Sequence, residues 1–176
     1  MPFPPSLARA LASLYVSDAE FERLGDLHYQ DAGHGYDAFG LHPDFVALGE
    51  LVAGPLYDRW FRVISRGHGS IPEIGPAVIA GNHSGNIPID AAMIWMDVLR
   101  NTSPPRVPRA IADHFVPSLP WVGTLFARSG MIGGSRGNTR ALLESGELLL
   151  IFPEGTPGII KPWNERYQLR PFRVGH

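Results

Sequence analysis

The residues whose types and spacing best suit chemistry in this 176-residue chain are His83 and Asp90, in the stretch Gly81-Asn82-His83-Ser84-Gly85-Asn86-Ile87-Pro88-Ile89-Asp90. An imidazole is the side chain best matched to moving a proton near neutral pH. A neighbouring carboxylate can fix its tautomer and stabilise the imidazolium, and an acid in the first turn of a helix stays ionised. The same two residues also read as a loop histidine beside a capping acid. A second polar stretch, Phe152-Pro153-Glu154-Gly155-Thr156, follows the apolar run Leu148-Leu149-Leu150-Ile151. Ligand-binding groups gather at turns of this kind, although a plain Pro-Gly turn fits it as well. Between the two lie Gly130 and, six positions on, Arg136.

Both stretches need rigid elements behind them. Residues 76–80, Pro-Ala-Val-Ile-Ala, read as a short buried strand, and 91–99 read as a helix with Pro88 suited to its first position. The histidine therefore sits on a loop at a strand end and the acid in the first turn of the next helix, a common location for a site in an α/β sheet. Residues 147–152 form the clearest buried strand, 107–112 and 129–132 read as further strands, and 136–144 as a helix stopped by Ser145-Gly146. Upstream, Leu7, Leu11, Leu14 and Tyr15 fall at helical spacing, and Ser17-Asp18-Ala19-Glu20 matches a capping box that opens a second helix through about residue 29. Residues 33–40 read as a turn-rich linker and 43–60 as an amphipathic helix interrupted at Pro55. Residues 61–66 read as a strand, and 113–127 as one or two short helices broken at Pro117 and Pro120. The expected fold class is α/β: a layered mixed sheet flanked by helices, with an N-terminal helical segment. The expected organisation is one domain, residues 1–176, comprising a helical segment over 1–60 and an α/β core over 61–176.

Composition bounds the function. Apolar content of 44% and charged content of 18% are those of a globular chain. With no cysteine there are no disulfides or thiolate metal sites. The net charge of −2 hides an asymmetry: residues 1–60 carry Arg9, Arg23 and Arg59 against nine acids, whereas 123–176 carry seven basic residues against four acids. An Arg-rich C-terminal third suits a phosphate-bearing partner or a solvated face. No apolar run approaches the ~18 residues needed to span a bilayer, and the start, Met1-Pro2-Phe3-Pro4-Pro5, does not read as a secretory signal. There is no phosphate-cradling or dinucleotide fingerprint, and the histidines show no metal-ligand spacing. No metal, bound cofactor or nucleic-acid partner is expected.

Taken together, Asn82-His83…Asp90, Gly130…Arg136 and Phe152-Pro153-Glu154-Gly155-Thr156 resemble, in order, the motifs of the glycerolipid acyltransferases, the family of the 1-acylglycerol-3-phosphate O-acyltransferases. The resemblance covers about residue 36 to the end and is sharpest over 81–161. Three departures stand out. Six residues separate His83 from Asp90 where the family has four. Pro157 stands where the family often has arginine, leaving Lys161 or Arg166 to supply that charge. The chain also ends at His176, where the family usually continues into a further strand, so a C-terminally incomplete acyl pocket is expected.

The resemblance implies transfer of a fatty acyl group from a thioester, on coenzyme A or acyl carrier protein as co-substrate, to the hydroxyl of a glycerolipid such as lysophosphatidic acid. It implies His83 as general base and Asp90 as its orienting partner. Arg136, Glu154, Gly155 and Thr156 are expected to bind substrate, with Arg136 on an acceptor phosphate and Glu154 on the acceptor side. Backbone N–H groups of 84–87 or 155–156 are the candidate oxyanion donors. Lipid substrates imply peripheral attachment to a membrane surface on the cytoplasmic side, with Leu7, Leu11, Leu14 and Trp60 as candidate contacts. One alternative is a truncated, non-catalytic lipid- or acyl-carrier-binding domain. Another is a serine hydrolase, because Gly133-Gly134-Ser135-Arg136-Gly137 matches the Gly-x-Ser-x-Gly elbow between a strand and a helix. The only histidine downstream of that motif is the terminal His176.

Overall fold

The fold comes from a computed structural model that describes residues 3–83, 87–112, 120–155, 157, 160–165, 167–169 and 171. It is α/β. Its centre is a four-stranded sheet built from β3 (Ala77–Ala80), β4 (Arg109–Ala112), β5 (Ile132–Gly133) and β6 (Leu148–Ile151), in the order β3-β6-β4-β5. Every pairing in it is parallel: Ala77 to Ala80 face Leu148 to Ile151, Arg109 and Ala110 face Leu149 and Leu150, and Ile111 and Ala112 face Ile132 and Gly133. Parallel neighbours require crossover connections. Helices α4 (Ile89–Asn101), α5 (Val122–Arg128) and α6 (Arg136–Glu144) lie on those connections. The antiparallel component is separate, a hairpin of β1 (Asp31–Gly33) and β2 (Tyr36–Asp37) that overlaps the start of the expected linker. Strand β6 is central and carries Leu148, Leu149 and Leu150, each at most 1% exposed, as a strand covered on both faces requires.

The N-terminal segment is helical. Helix α1 (Pro5–Ala12) buries Ala8 and Ala12, and Ala8 packs with Phe45 and Leu48 of α3 (Pro43–Pro55). Helix α2 (Asp18–Leu24) opens at the expected box, with the Ser17 side chain accepting from the Glu20 amide. Helix α3 is capped by His42, whose Nδ1 accepts from the Asp44 amide at 3.1 Å, and it runs through the middle of the main core. Its Gly54 is required by close approach: a Cβ there would lie 2.6 Å from the Tyr15 ring. After Pro55 the chain makes one wide π-helical turn over Leu56–Trp60.

Residues 61–66 are not a strand, contrary to expectation. The amides of Phe61 and Val63 donate to Leu56 and Tyr57 carbonyls of the preceding turn, Arg62 has φ 48, and Ile64 is 86% exposed. The segment is apolar enough for a strand, but these local hydrogen bonds and the left-handed backbone of Arg62 keep it from forming one. Of the helices expected over 113–127, α5 accounts for the C-terminal part, and 113–119 lie outside the described residues.

Charge is buried at the N-terminal end of the sheet. Arg109, fully buried, forms an ion pair with Asp37 at 2.6 Å and donates through Nε to the Gly130 carbonyl. Arg106 donates to the carbonyls of Pro72, Gly75 and Gly146, tying the lead-ins of β3 and β6 together. A second buried acid, Glu50 on α3, is 3% exposed. Burial, with the negative charge and hydrogen bond of Glu20 beside it, pushes its pKa up to about 8. Burial is the largest single influence on Glu20 and would raise it too, but hydrogen bonds with Arg23 and Glu50 and the positive charges of Arg23 and Arg100 together outweigh it, and the Glu20 pKa falls below its ordinary value.

Candidate active site

Parallel topology puts the C-terminal ends of all four strands on one rim, where open α/β sheets bind their ligands. His83 follows β3 and the Phe152–Gly155 turn follows β6, its hydrogen-bonded neighbour. The His83 Nδ1 lies 2.9 and 3.1 Å from the two carboxylate oxygens of Asp90. Asp90 is in the first turn of α4, and one of its oxygens also accepts from the Ala91 amide at 2.8 Å. Pro88 sits one step earlier than the sequence suggested, at the N-cap. The two extra residues between histidine and acid therefore do not separate the pair. An ionised carboxylate only accepts hydrogen bonds, so the proton of the neutral ring sits on Nδ1. The other ring nitrogen, Nε2, is then the basic one.

The ring is held from a second side. His83 stacks on Phe152, with centroids 4.4 Å apart and planes 20° from parallel. Phe152 belongs to the second motif but carried no role in the sequence reading. A flat apolar residue immediately past a buried strand was the signal for it. The side chains of His83 and Asp90 remain 15% and 18% exposed, so the pair is positioned yet open to a ligand.

The substrate-binding candidates are distributed differently. Glu154 is 2% exposed, and one carboxylate oxygen accepts from the Lys161 ammonium at 2.6 Å. Lys161 also donates to the Gln168 carbonyl. Glu154 thus meets Lys161 of the chain's own C-terminal segment, a cation beside the turn. Gly155 adopts φ 58, and its amide donates to the Phe152 carbonyl at 2.9 Å, closing the turn. That N–H is therefore committed and does not serve as an oxyanion donor. Ser84, Gly85, Asn86, Thr156 and Arg166 lie outside the described residues. Arg136 is exposed at the start of α6, just past β5. It shares the rim, but three strand spacings, about 14 Å, separate β5 from β3.

The elbow motif is a helix cap. Ser135 has an extended backbone, φ −151, and its Oγ accepts from the Asn138 amide at 3.0 Å. A strained turn projecting a nucleophile is not formed there.

An apolar groove of about 140 Å³, open to solvent, lies between α3, α4 and α5. Its walls include Gly49 and Val52 of α3, Pro88, Ala91 and Trp95 along α4, and Phe126 of α5. The sequence reading did not find it. Its trace was a set of small residues at helical spacing on α3 and α4 (Gly49 and Ala53, Ala91 and Ala92) that leave room between two packed helices.

Of the candidate membrane contacts, Leu14 and Trp60 are three-quarters exposed, Leu7 is partly so, and Leu11 packs against the α1–α3 cluster. Among the described residues, no helix is long and apolar enough to cross a membrane.

Comparison with known proteins gives the geometry a family. An uncharacterized protein of Mycobacterium tuberculosis is 33% identical over 146 residues, covering 81% of this chain and 40% of that protein. An uncharacterized protein of Mycobacterium leprae is 32% identical over 140 residues, covering 79% and 38%. The bovine DGAT1/2-independent enzyme synthesizing storage lipids is 36% identical over 96 residues, covering 54% of this chain and 28% of the enzyme. The chain thus spans about 40% of the length of the mycobacterial relatives. No solved structure matches it. The family model described as Acyltransferase matches residues 62–176, which include the dyad, the Phe-Pro-Glu-Gly-Thr corner and Arg136, and the chain belongs to that family.

Proposed function

We propose that this chain is the acyl-transfer domain of an enzyme that moves a fatty acyl group from an acyl thioester to a hydroxyl of a glycerolipid. The observation that carries the reading is the His83–Asp90 pair, 2.9 Å apart on an open rim and stacked on Phe152. Family membership supports acyl transfer in general, and a lipid acceptor agrees with the name of the bovine relative.

In this mechanism Nε2 of His83 takes the proton of the acceptor hydroxyl as its oxygen attacks the thioester carbonyl. Asp90 holds the ring and stabilises the imidazolium that forms. The tetrahedral intermediate collapses, the carbon–sulfur bond breaks, and His83 returns the proton to the departing thiolate. Proton transfer of this kind typically contributes ~10²–10⁴-fold. The nucleophile belongs to the acceptor, so no acyl-enzyme forms and the kinetics are sequential. Glu154 acts by holding Lys161 at the rim, and that ammonium together with Arg136 offers positive charge to an acceptor phosphate. The donor is a thioester of coenzyme A or acyl carrier protein. The domain sits peripherally on a membrane surface, with exposed Leu14 and Trp60 as its candidate contacts.

The test is a panel of phosphorylated and neutral lysoglycerolipids with labelled acyl thioester. Product should form, initial-rate patterns should intersect, and Arg136→Ala should weaken phosphorylated acceptors far more than the donor. Absence of transfer to every acceptor, or a labelled acyl-enzyme, would sink the reading.

A further inference from the structure

We propose that Phe152 is a positioning residue for acyl transfer: its ring face sets the tilt of His83 and favours the imidazolium that forms as the acceptor hydroxyl is deprotonated. The proposal deepens the acyl-transfer reading and rests on it.

Asp90 alone does not fix the base. Its two oxygens reach a single ring nitrogen, Nδ1, at 2.9 and 3.1 Å. A hydrogen bond of this kind keeps most of its strength through a tilt of roughly 30°. With that tilt the far nitrogen, Nε2, would swing by about 1 Å, a misplacement that can cost about 10²-fold in rate. The stack removes the freedom. The His83 and Phe152 ring centroids are 4.4 Å apart and the planes 20° from parallel. Tilting the imidazole toward the phenyl runs into that ring, and tilting away gives up the contact.

Phe152 is itself held at both ends. Its carbonyl accepts from the Gly155 amide at 2.9 Å. Its side chain packs against the buried cluster of Ala91, Ala110 and Leu150. The corner after β6 therefore passes the rigidity of the sheet to the base at the exit of the neighbouring strand.

The same face acts on charge. The π-face of a phenyl ring is negative and attracts a cation within about 6 Å of its centroid. The neutral imidazole of the resting pair gains little from it, and the imidazolium gains more. An interaction that is stronger in the transition state than in the ground state raises kcat without tightening substrate binding.

The experiment uses the full 176-residue chain. Initial rates are measured with labelled acyl thioester and a lysoglycerolipid acceptor, and the His83 ring protons are followed by NMR. In the parent chain the phenyl ring current should displace those protons upfield, and Phe152→Leu should abolish the displacement. Phe152→Leu should also lower kcat by about 10–100-fold and leave both KM values within about 2-fold. Phe152→Tyr restores an aromatic face and should recover most of that loss. Replacing Phe152 with pentafluorophenylalanine keeps the shape and reverses the sign of the face, and should lower kcat by about 3–30-fold. It is also the deciding variant if circular dichroism finds the leucine form unfolded. A loss in the leucine form alone keeps the tilt and removes the charge effect. Unchanged kcat in the folded leucine and pentafluoro variants, losses that fall on KM, or no ring-current displacement in the parent overturns the proposal. If the parent shows the displacement but transfers nothing to any acceptor, the acyl-transfer reading fails and the ring-holding role stands. If it transfers and the variants match it, the reading stands and the role of Phe152 fails.

Discussion

Two charge pairs stand at opposite ends of the same parallel strands, and they differ in what they leave over. At the N-terminal end, Arg109 and Asp37 are 0% and 6% exposed and 2.6 Å apart. The guanidinium is sealed among β4, the hairpin and Gly130, so whatever its Nη atoms leave unused lies beyond the reach of a ligand. At the C-terminal rim, His83 and Asp90 are 2.9 Å apart, but their side chains keep 15% and 18% of their surface. Both ring nitrogens matter there, because one is used to hold the ring and the other has no hydrogen-bond partner among the described residues. A closed pair supports a fold, and an open pair with one atom left over supports chemistry. The parallel topology decides which end is which, since it sends every strand's exit to a single rim.

That contrast is open to direct attack. The largest expected effect is on the open pair: His83→Ala should cost ~10²–10⁴-fold in acyl transfer while the urea midpoint stays near that of the parent. An unfolded variant, or one with full turnover, would remove the distinction. At the closed pair the expectation reverses. Arg109→Ala leaves Asp37 buried without its partner and should cost about 3–5 kcal/mol by urea denaturation, with the transfer rate of the remaining folded fraction unchanged.

A third test uses Glu50, closed off like Arg109 but with a proton to lose. Its folded pKa, about 8, lies above the value of 4.5 expected for the unfolded chain. Folding therefore takes up a proton between those values, and stability falls as pH rises through that window. Glu50→Gln should flatten the decline in melting temperature from about pH 5 to 8; an unchanged slope would assign the decline to other groups. The smallest effect is at the rim but outside the pair. Ser135→Ala removes a helix cap worth about 1 kcal/mol and should leave transfer intact, whereas loss of activity in a folded Ser135→Ala protein would revive the nucleophile elbow.

Much of this was readable from local pattern. The α/β layering followed from apolar runs alternating with helical periodicity. Ser17 acts as the expected cap because a hydroxyl three residues ahead of a helical amide is a local event. The apparent strand at 61–66 shows the limit: Phe61, Val63 and Ile64 suit a strand, but a strand also needs a partner, and no property of those six residues says whether an edge will be beside them. The groove escaped for a related reason. Small residues on two helices make a cavity only when those faces meet.

By itself, then, the sequence determined the chemical inventory: an imidazole and an acid flanking a strand-to-helix junction, a Phe-Pro-Glu-Gly corner after a buried strand, and an arginine at a helix start. Only tertiary structure decided that β3 lies beside β6, so that His83 rests on Phe152 while Arg136 stands across the rim. It also decided that Glu154 is held by Lys161 and that Trp95 faces Gly49. Strand order and helix facing are fixed by contacts between residues far apart in sequence, whose free energy depends on the whole packed core, whereas caps, turns and periodicity are settled within a few neighbouring residues.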